Sequence, residues 1–184
     1  MCHVGGCWYE YGSLGFRVLG VFPVDIFIWA YLYIYFIVAF YEHFLDEDKY
    51  KGKMSKNIGY WLSFALFLVI LFLVIYLVNK NLLVVSNFYF IIILFMFVMP
   101  IITICWMFPS LVKKIAIQGT YFFFLSIVYE LVALNIGHWE FSRSHVVGWI
   151  ELFGFGFAFE EFVWLMLAVP AVICLYEIIA DDKK

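Results

Sequence analysis

Two adjacent glutamates, Glu160 and Glu161, sit inside an apolar stretch, GFGFAFEEFVWLMLAVPAVICLYEIIAD, that runs from Gly154 to Asp181. About twenty apolar residues cross a bilayer as a helix, and an ionisable group inside such a span is costly enough to mark a functional site. The acid recurs. At an offset of 135 residues, Phe22, Phe27, Trp29, Leu32, Tyr41, Glu42 and Asp46 coincide with Phe157, Phe162, Trp164, Leu167, Tyr176, Glu177 and Asp181, and Asp25 falls opposite Glu160. This composition would give roughly two or three such identities by chance, so the pattern predicts a duplicated helix carrying an acid. Glu130 and Asn135 add polar groups near the far end of another apolar run.

A carboxyl group in hydrocarbon loses solvation mainly in its charged form, and a second carboxyl nearby favours the neutral acid further. A neutral carboxyl facing an apolar pocket can give its proton to an alkene if a neighbouring carboxylate or dipole stabilises the charge that follows. Phe22, Phe27, Trp29, Phe157, Phe162 and Trp164 accompany the acids, and their π faces attract a carbocation by ~0.5–2 kcal/mol each without acting as nucleophiles. That combination is what cyclisation of a polyene needs. The same residues serve plainer ends as well: aromatic rings anchor and pack membrane helices, and acids hydrogen-bond between them. A membrane subunit that binds a carotenoid or other isoprenoid without converting it is therefore the second reading. A proton-coupled carrier is the third, for which the sequence offers no broken helix and no polar path across the membrane. Glu42 and Glu177, beside Tyr41 and Tyr176, read as boundary anchors, and His138 and His145 as ordinary surface histidines.

The chain has 184 residues, of which 67% are hydrophobic, 23% aromatic and 14% charged, against ~25% charged in soluble domains. The apolar residues run in long blocks and not at amphipathic spacing, which predicts an all-α integral membrane bundle with the lipid bilayer as first partner. A net charge of -3 with no basic run interleaved with aromatics excludes a nucleic-acid surface. Four cysteines are too scattered for a disulfide framework, and Cys2, His3 and Cys7 match no metal-ligand spacing. No Gly-rich dinucleotide fingerprint and no cleaved signal peptide are present, so no cofactor is expected.

One membrane domain over 1–184 is predicted, with an outer interfacial segment at 1–17 and spans at about 18–41, 58–78, 82–108, 115–137 and 152–179. Spans two and three form a tight hairpin, and Pro100 kinks the third near its end. Trp29 and Leu32 share a helix face with Asp25. The segment HWEFSRSHVVGWIE reads as an interfacial loop or short surface helix. With the N-terminus outside, Lys49, Lys51, Lys53, Lys56, Lys113, Lys114, Lys183 and Lys184 fall inside, against Arg17, Lys80 and Arg143 outside. The expected location is the cytoplasmic membrane, C-terminus inside. First and last spans then run the same way, and Asp25, Glu160 and Glu161 share a depth that Glu130 approaches from the other direction.

The repeated motifs resemble those of the membrane lycopene cyclase domain, a carotenoid cyclase family of two-polypeptide and fused forms. Its pattern is a duplicated Pro-x-Glu-Glu or Pro-x-Glu-Asp helix preceded by a loop with Trp, an aromatic and then Gly. The second copy here reads Gly137-His138-Trp139-Glu140-Phe141, then Gly148, then Ala158-Phe159-Glu160-Glu161-Phe162. The first reads Trp8-Tyr9-Glu10-Tyr11, then Gly20, then Pro23-Val24-Asp25. Ala158 stands where the family has Pro, Asp25 stands alone where it has two acids, and helices that precede the first loop in the family are missing. The resemblance implies that Asp25, Glu160 and Glu161 protonate the end group of lycopene or another isoprenoid without net redox change. It places Glu130 at an acidic position before the Trp loop. Trp139 joins the substrate-contacting residues, and a homo- or hetero-oligomer would complete the pocket of so short a chain.

Overall fold

The computed structural model describes residues 8–10, 14–18, 22–46, 58–83, 87–141, 143 and 146–179. Cys2, His3, Cys7 and His145 lie outside the described residues, as do most of the polar connection after residue 46 and the C-terminal acids and lysines. Among the described residues, five helical segments are long and apolar enough to cross a membrane: Val24–Leu45, Ile58–Asn79, Phe90–Met107, Pro109–Asn135 and Phe159–Ile179. The protein is an all-α integral membrane bundle, as its composition predicts, with short strands grouped at one end.

Those strands displace two of the expected span boundaries. The first helix, α1 (Val24–Phe40), starts at 24 and not 18 because the preceding residues form β2 (Arg17–Val18) and β3 (Phe22–Pro23), an antiparallel pair. They follow β1 (Trp8–Glu10). Pro23 has no N–H to leave unsatisfied, so it suits the position just ahead of the helix. At its far end α1 widens into a π-helical turn, Tyr41–Asp46.

After α2 (Ile58–Asn79) and a 3₁₀ turn at Lys80–Leu83, the third span begins at 88 and not 82, behind Asn87 in the left-handed conformation (φ 55°). It consists of α3 (Phe88–Ile93), a wide π-helical turn over Leu94–Val98 and α4 (Met99–Met107). Pro100 cannot donate a hydrogen bond to the preceding turn, and the helix opens immediately before it. The irregularity therefore falls in mid-span, earlier than expected.

The fourth span, α5 (Val112–Asn135), follows a short turn at Pro109–Leu111. Beyond it, the stretch expected to be a loop or surface helix forms strands instead: β4 (Trp139–Phe141) and β5 (Trp149–Leu152). β5 pairs with β6 (Phe155–Ala158) through a two-residue turn in which Phe153 and Gly154 both have positive φ (53° and 85°). A tight hairpin with the strands' own twist needs that backbone. The last helix, α6 (Phe159–Ile179), consequently starts at 159 and not 152.

α6 is the centre of the bundle, with α1, α4 and α5 packed around it. Ile37 and Tyr41, Ile104, Ile115 and Phe122, and Val169, Ile173 and Cys174 form the buried core. α5 and α6 pack closely at Gly119, where a Cβ would lie 2.9 Å from Pro170 Cγ. Gly119→Leu is therefore expected to destabilise the bundle by about 1–3 kcal/mol through overpacking, read as a lower unfolding temperature in detergent. α2, by contrast, buries none of its residues. Among the described elements α2 packs mainly on the turn that follows it, so the expected tight hairpin of spans two and three is not a packed pair.

Of two expectations that follow from the 135-residue offset, one holds and one does not. Residues paired by the 135-residue offset meet across the α1–α6 contact near both ends: Trp29 and Trp164 rings lie 5.8 Å apart, Tyr41 and Tyr176 rings 6.3 Å. The two helices thus run the same way, as the topology requires. Glu177, however, is not a boundary anchor. It is 2% exposed and accepts a hydrogen bond from the Tyr41 hydroxyl, joining α6 to α1, while Glu42 is half-buried.

Candidate functional site

The two acid-bearing helices begin on matching backbone devices. β1 and β4 pair antiparallel with Trp8 opposite Phe141, Tyr9 opposite Glu140 and Glu10 opposite Trp139. A hairpin precedes each helix, and the helix's first N–H donates to the carbonyl just before that hairpin: Val24 to Phe16 at 3.0 Å, Phe159 to Gly148 at 2.9 Å. The next residue in each helix is an acid that ties down the same loop. Asp25 Oδ2 accepts the Leu14 N–H at 3.3 Å, and Glu160 Oε1 accepts the Val147 N–H. Both carboxylates thus sit in the first turn of a helix, among its unpaired N–H groups.

A cavity of about 640 Å³ opens between α1, α5 and α6 under β4. α1 contributes Asp25, Trp29, Tyr33 and Phe36, residues on one helical face. α5 contributes Phe122, Ser126, Tyr129 and Glu130, and α6 contributes Glu161, Trp164 and Leu165. His138, Trp139 and Phe141 close the end. Its aromatic wall is continuous: Trp29 stacks on Tyr33 at 4.9 Å, Trp164 lies 6.0 Å from Tyr33, and Tyr129 lies 6.4 Å from Trp29 and 5.6 Å from Trp139. Tyr33 and Ser126 hydroxyls meet at 3.3 Å and hold α1 to α5.

Three carboxyl groups from three helices border this cavity in different settings. Asp25 and Glu161 occupy first turns, at positive helix poles. Glu130 is at the opposite pole, in the last turns of α5, 3% exposed, and accepts the Trp139 indole N–H on Oε1 at 2.9 Å. That bond occupies one carboxyl oxygen. Among the described residues no group of three His, Cys, Asp or Glu side chains is placed to hold a metal ion.

Of the residues expected from sequence, the cavity gathers Asp25, Glu130, Glu161, Trp29, Trp139 and Trp164. Glu160 is not in its wall: one residue earlier on the helix is a turn of ~100°, and the side chain is buried (1% exposed) against the Val147 loop. Phe27 is 52% exposed, Phe157 is a buried residue of β6, and Phe162 packs on Phe123 at 5.5 Å. Leu32 is 55% exposed, so the face that continues from Asp25 and Trp29 passes through Tyr33. The Phe22 side chain lies outside what the structure describes. No protein-family model, no curated protein and no solved structure matches the chain.

Tyr33, Ser126, Tyr129 and His138 are lining residues that sequence reasoning passed over, His138 having been read as surface. A signal existed for two of them: Tyr33 is one turn beyond Trp29, and Ser126 one turn before Glu130. Glu160 offers a direct check of the geometry. Glu160→Gln keeps an acceptor for Val147 and is expected to leave folding and function near wild type. Glu160→Ala removes the acceptor of that part-buried bond and is expected to cost about 0.5–1.5 kcal/mol, seen as a lower unfolding temperature.

Proposed function

We propose that the chain is a membrane isoprenoid cyclase of the lycopene-cyclase type, which closes a ring at a polyene end group by proton transfer without net redox change. The observation that carries this reading is the placement of Asp25, Glu130 and Glu161, from three helices, around one aromatic-walled apolar cavity. The Trp-containing loop that resembles the family's motif supports it, because Trp139 is bonded to Glu130.

The helix poles divide the roles. Glu130, remote from any helix N-terminus and buried, is the proton donor: Trp139 marks Oε1 as the accepting oxygen and leaves Oε2 to carry the proton. Transfer to the terminal alkene breaks the Glu130 O–H bond, forms a C–H bond and leaves a tertiary carbocation. The next alkene attacks that centre to close the ring, and the charge moves into the ring. Trp29, Tyr33 and Trp164 face the cation, each contributing ~0.5–2 kcal/mol, and Glu161 and Asp25 offset its charge. Loss of a ring proton to either carboxylate completes the isomerisation, and exchange with solvent then removes that proton and returns one to Glu130.

The site belongs to the cytoplasmic membrane in this reading, with the acids near the outer ends of α1 and α6 by the distribution of basic residues. A second copy or another subunit is the natural cover for the lipid-facing helices. Asp25 and Glu130 already hold hydrogen bonds within the protein, which also favours a carotenoid-binding subunit whose acids only join elements. Expression in a lycopene-accumulating bacterium separates the two. Cyclised pigment supports the enzyme; stoichiometric pigment on the purified protein with no ring formed supports the binding subunit and removes the enzyme.

A further inference from the structure

The cavity is not sealed toward the hydrocarbon. α1 and α5 both pack on α6, and across the space between them they meet through long side chains: Trp29 with Tyr129, Tyr33 with Ser126, Phe36 with Phe122 at 5.6 Å. Three of the lining residues are exposed, Phe36 (51%), Leu125 (47%) and Tyr129 (43%), and all three lie on α1 or α5 inside membrane-crossing segments. The lining residues toward α6 and the strands, such as Leu165, Trp164 and Trp139, are buried or half-buried.

The depth of this opening follows from helix geometry. Phe36 is eleven residues beyond Asp25, ~16 Å along α1, and Glu130 and Phe122 are eight residues apart, ~12 Å along α5. With a hydrocarbon core ~30 Å thick, the acids stand at one end of the span and the exposed lining residues reach to about the bilayer midplane. An aqueous solute would not enter there. The enclosed volume suits a drug-sized group (~300–1,000 Å³), whereas a longer chain must continue into lipid.

Building on the cyclase reading above, we infer that the gap between α1 and α5, bordered by Phe36, Leu125 and Tyr129, is a lateral portal. Through it one end of a long isoprenoid chain enters from the bilayer, end group toward Glu130 and Glu161, while its tail stays among the lipid acyl chains. Such a portal discriminates by tail length: a narrowing at mid-span obstructs a ligand that must thread it permanently and spares one short enough to lie wholly inside.

The test uses the full chain in lipid nanodiscs with two probes, lycopene and pseudoionone, the second carrying the same acyclic end on a short tail. Retained probe per protein is measured after purification, and ring product separately. Leu125→Trp is compared with Val128→Trp, also on the exposed side of α5 (60%) but outside the cavity wall. Expected is a tenfold or greater loss of lycopene from Leu125→Trp, with pseudoionone retained and Val128→Trp like wild type for both. Undiminished lycopene on Leu125→Trp, or equal loss of both probes, overturns the portal. Wild type that retains lycopene without forming rings, together with the selective loss, overturns the cyclase and upholds the portal. Wild type that retains neither probe overturns both.

Discussion

Glu130→Gln is expected to abolish ring formation while the protein still folds and takes up its ligand. Glutamine keeps the size of the side chain and an amide oxygen for the Trp139 indole N–H, now 2.9 Å from Glu130 Oε1. It therefore preserves the contact between α5 and β4. What it lacks is an acidic proton. General acid catalysis is worth ~10²–10⁴-fold where an alternative route exists, and alkene protonation with Glu130 as its one donor has no such route, so product should fall below detection. Glu161→Gln is the necessary contrast. It removes a charge facing the cation and leaves the donor, and the expected loss is the ~10²–10³-fold typical of one electrostatic contact in a preorganised site. Pigment analysis of membranes containing each variant, normalised to protein, checks the order: Glu130→Gln most affected, Glu161→Gln intermediate, Glu160→Gln near wild type.

Trp164→Ala is expected to have the largest combined effect on stability and ligand retention. Its ring contacts Trp29 at 5.8 Å, Tyr33 at 6.0 Å and Phe97 at 6.2 Å, so it joins α6 to α1 and to the wide turn before Pro100. Truncating a packed Trp to Ala costs about 3–5 kcal/mol, and this one also forms the cavity wall beside Glu161. Unfolding in detergent should shift to markedly lower temperature, and retained polyene should fall at least tenfold even at temperatures where the variant is folded. Trp164→Phe keeps an aromatic face and should recover most of the stability. Equal ligand retention by Trp164→Ala and wild type would remove this ring from the site.

The apolar runs made the spans legible, because hydrocarbon length and backbone satisfaction leave few options for such segments. The starts of the first and last spans were not legible for the same reason. Trp149, Ile150, Phe155 and Phe157 are as apolar as a helix would be, and only the paired positive φ values at Phe153 and Gly154 reveal a hairpin. That error carried into the site. With the helix beginning at Phe159, Glu161, Trp164 and Leu165 share the cavity face at one-turn spacing, and Glu160 is rotated away. Neighbouring glutamates cannot be told apart until the phase of their helix is known.

The seven coincidences at the 135-residue offset are accounted for in part by geometry. Trp29 with Trp164 and Tyr41 with Tyr176 touch across the α1–α6 contact, whereas Phe27 and Phe162 are equivalent in sequence and different in setting. The cavity is not symmetric either: the position equivalent to Glu161 is Ile26, which also lines it. Glu130 and its partner Trp139 have no place in the 135-residue offset, and their hydrogen bond depends on how α5 turns into β4, which no periodicity records.

The measurement that bears most directly on proton-initiated cyclisation is isotopic. Membranes containing the wild-type chain are given unlabelled lycopene in D₂O buffer, and the mass of any cyclised carotenoid is determined. Product carrying one deuterium for each ring formed, absent with Glu130→Gln, is the result expected. Cyclised product without deuterium, or no cyclised product from membranes shown to contain the folded protein, would contradict it.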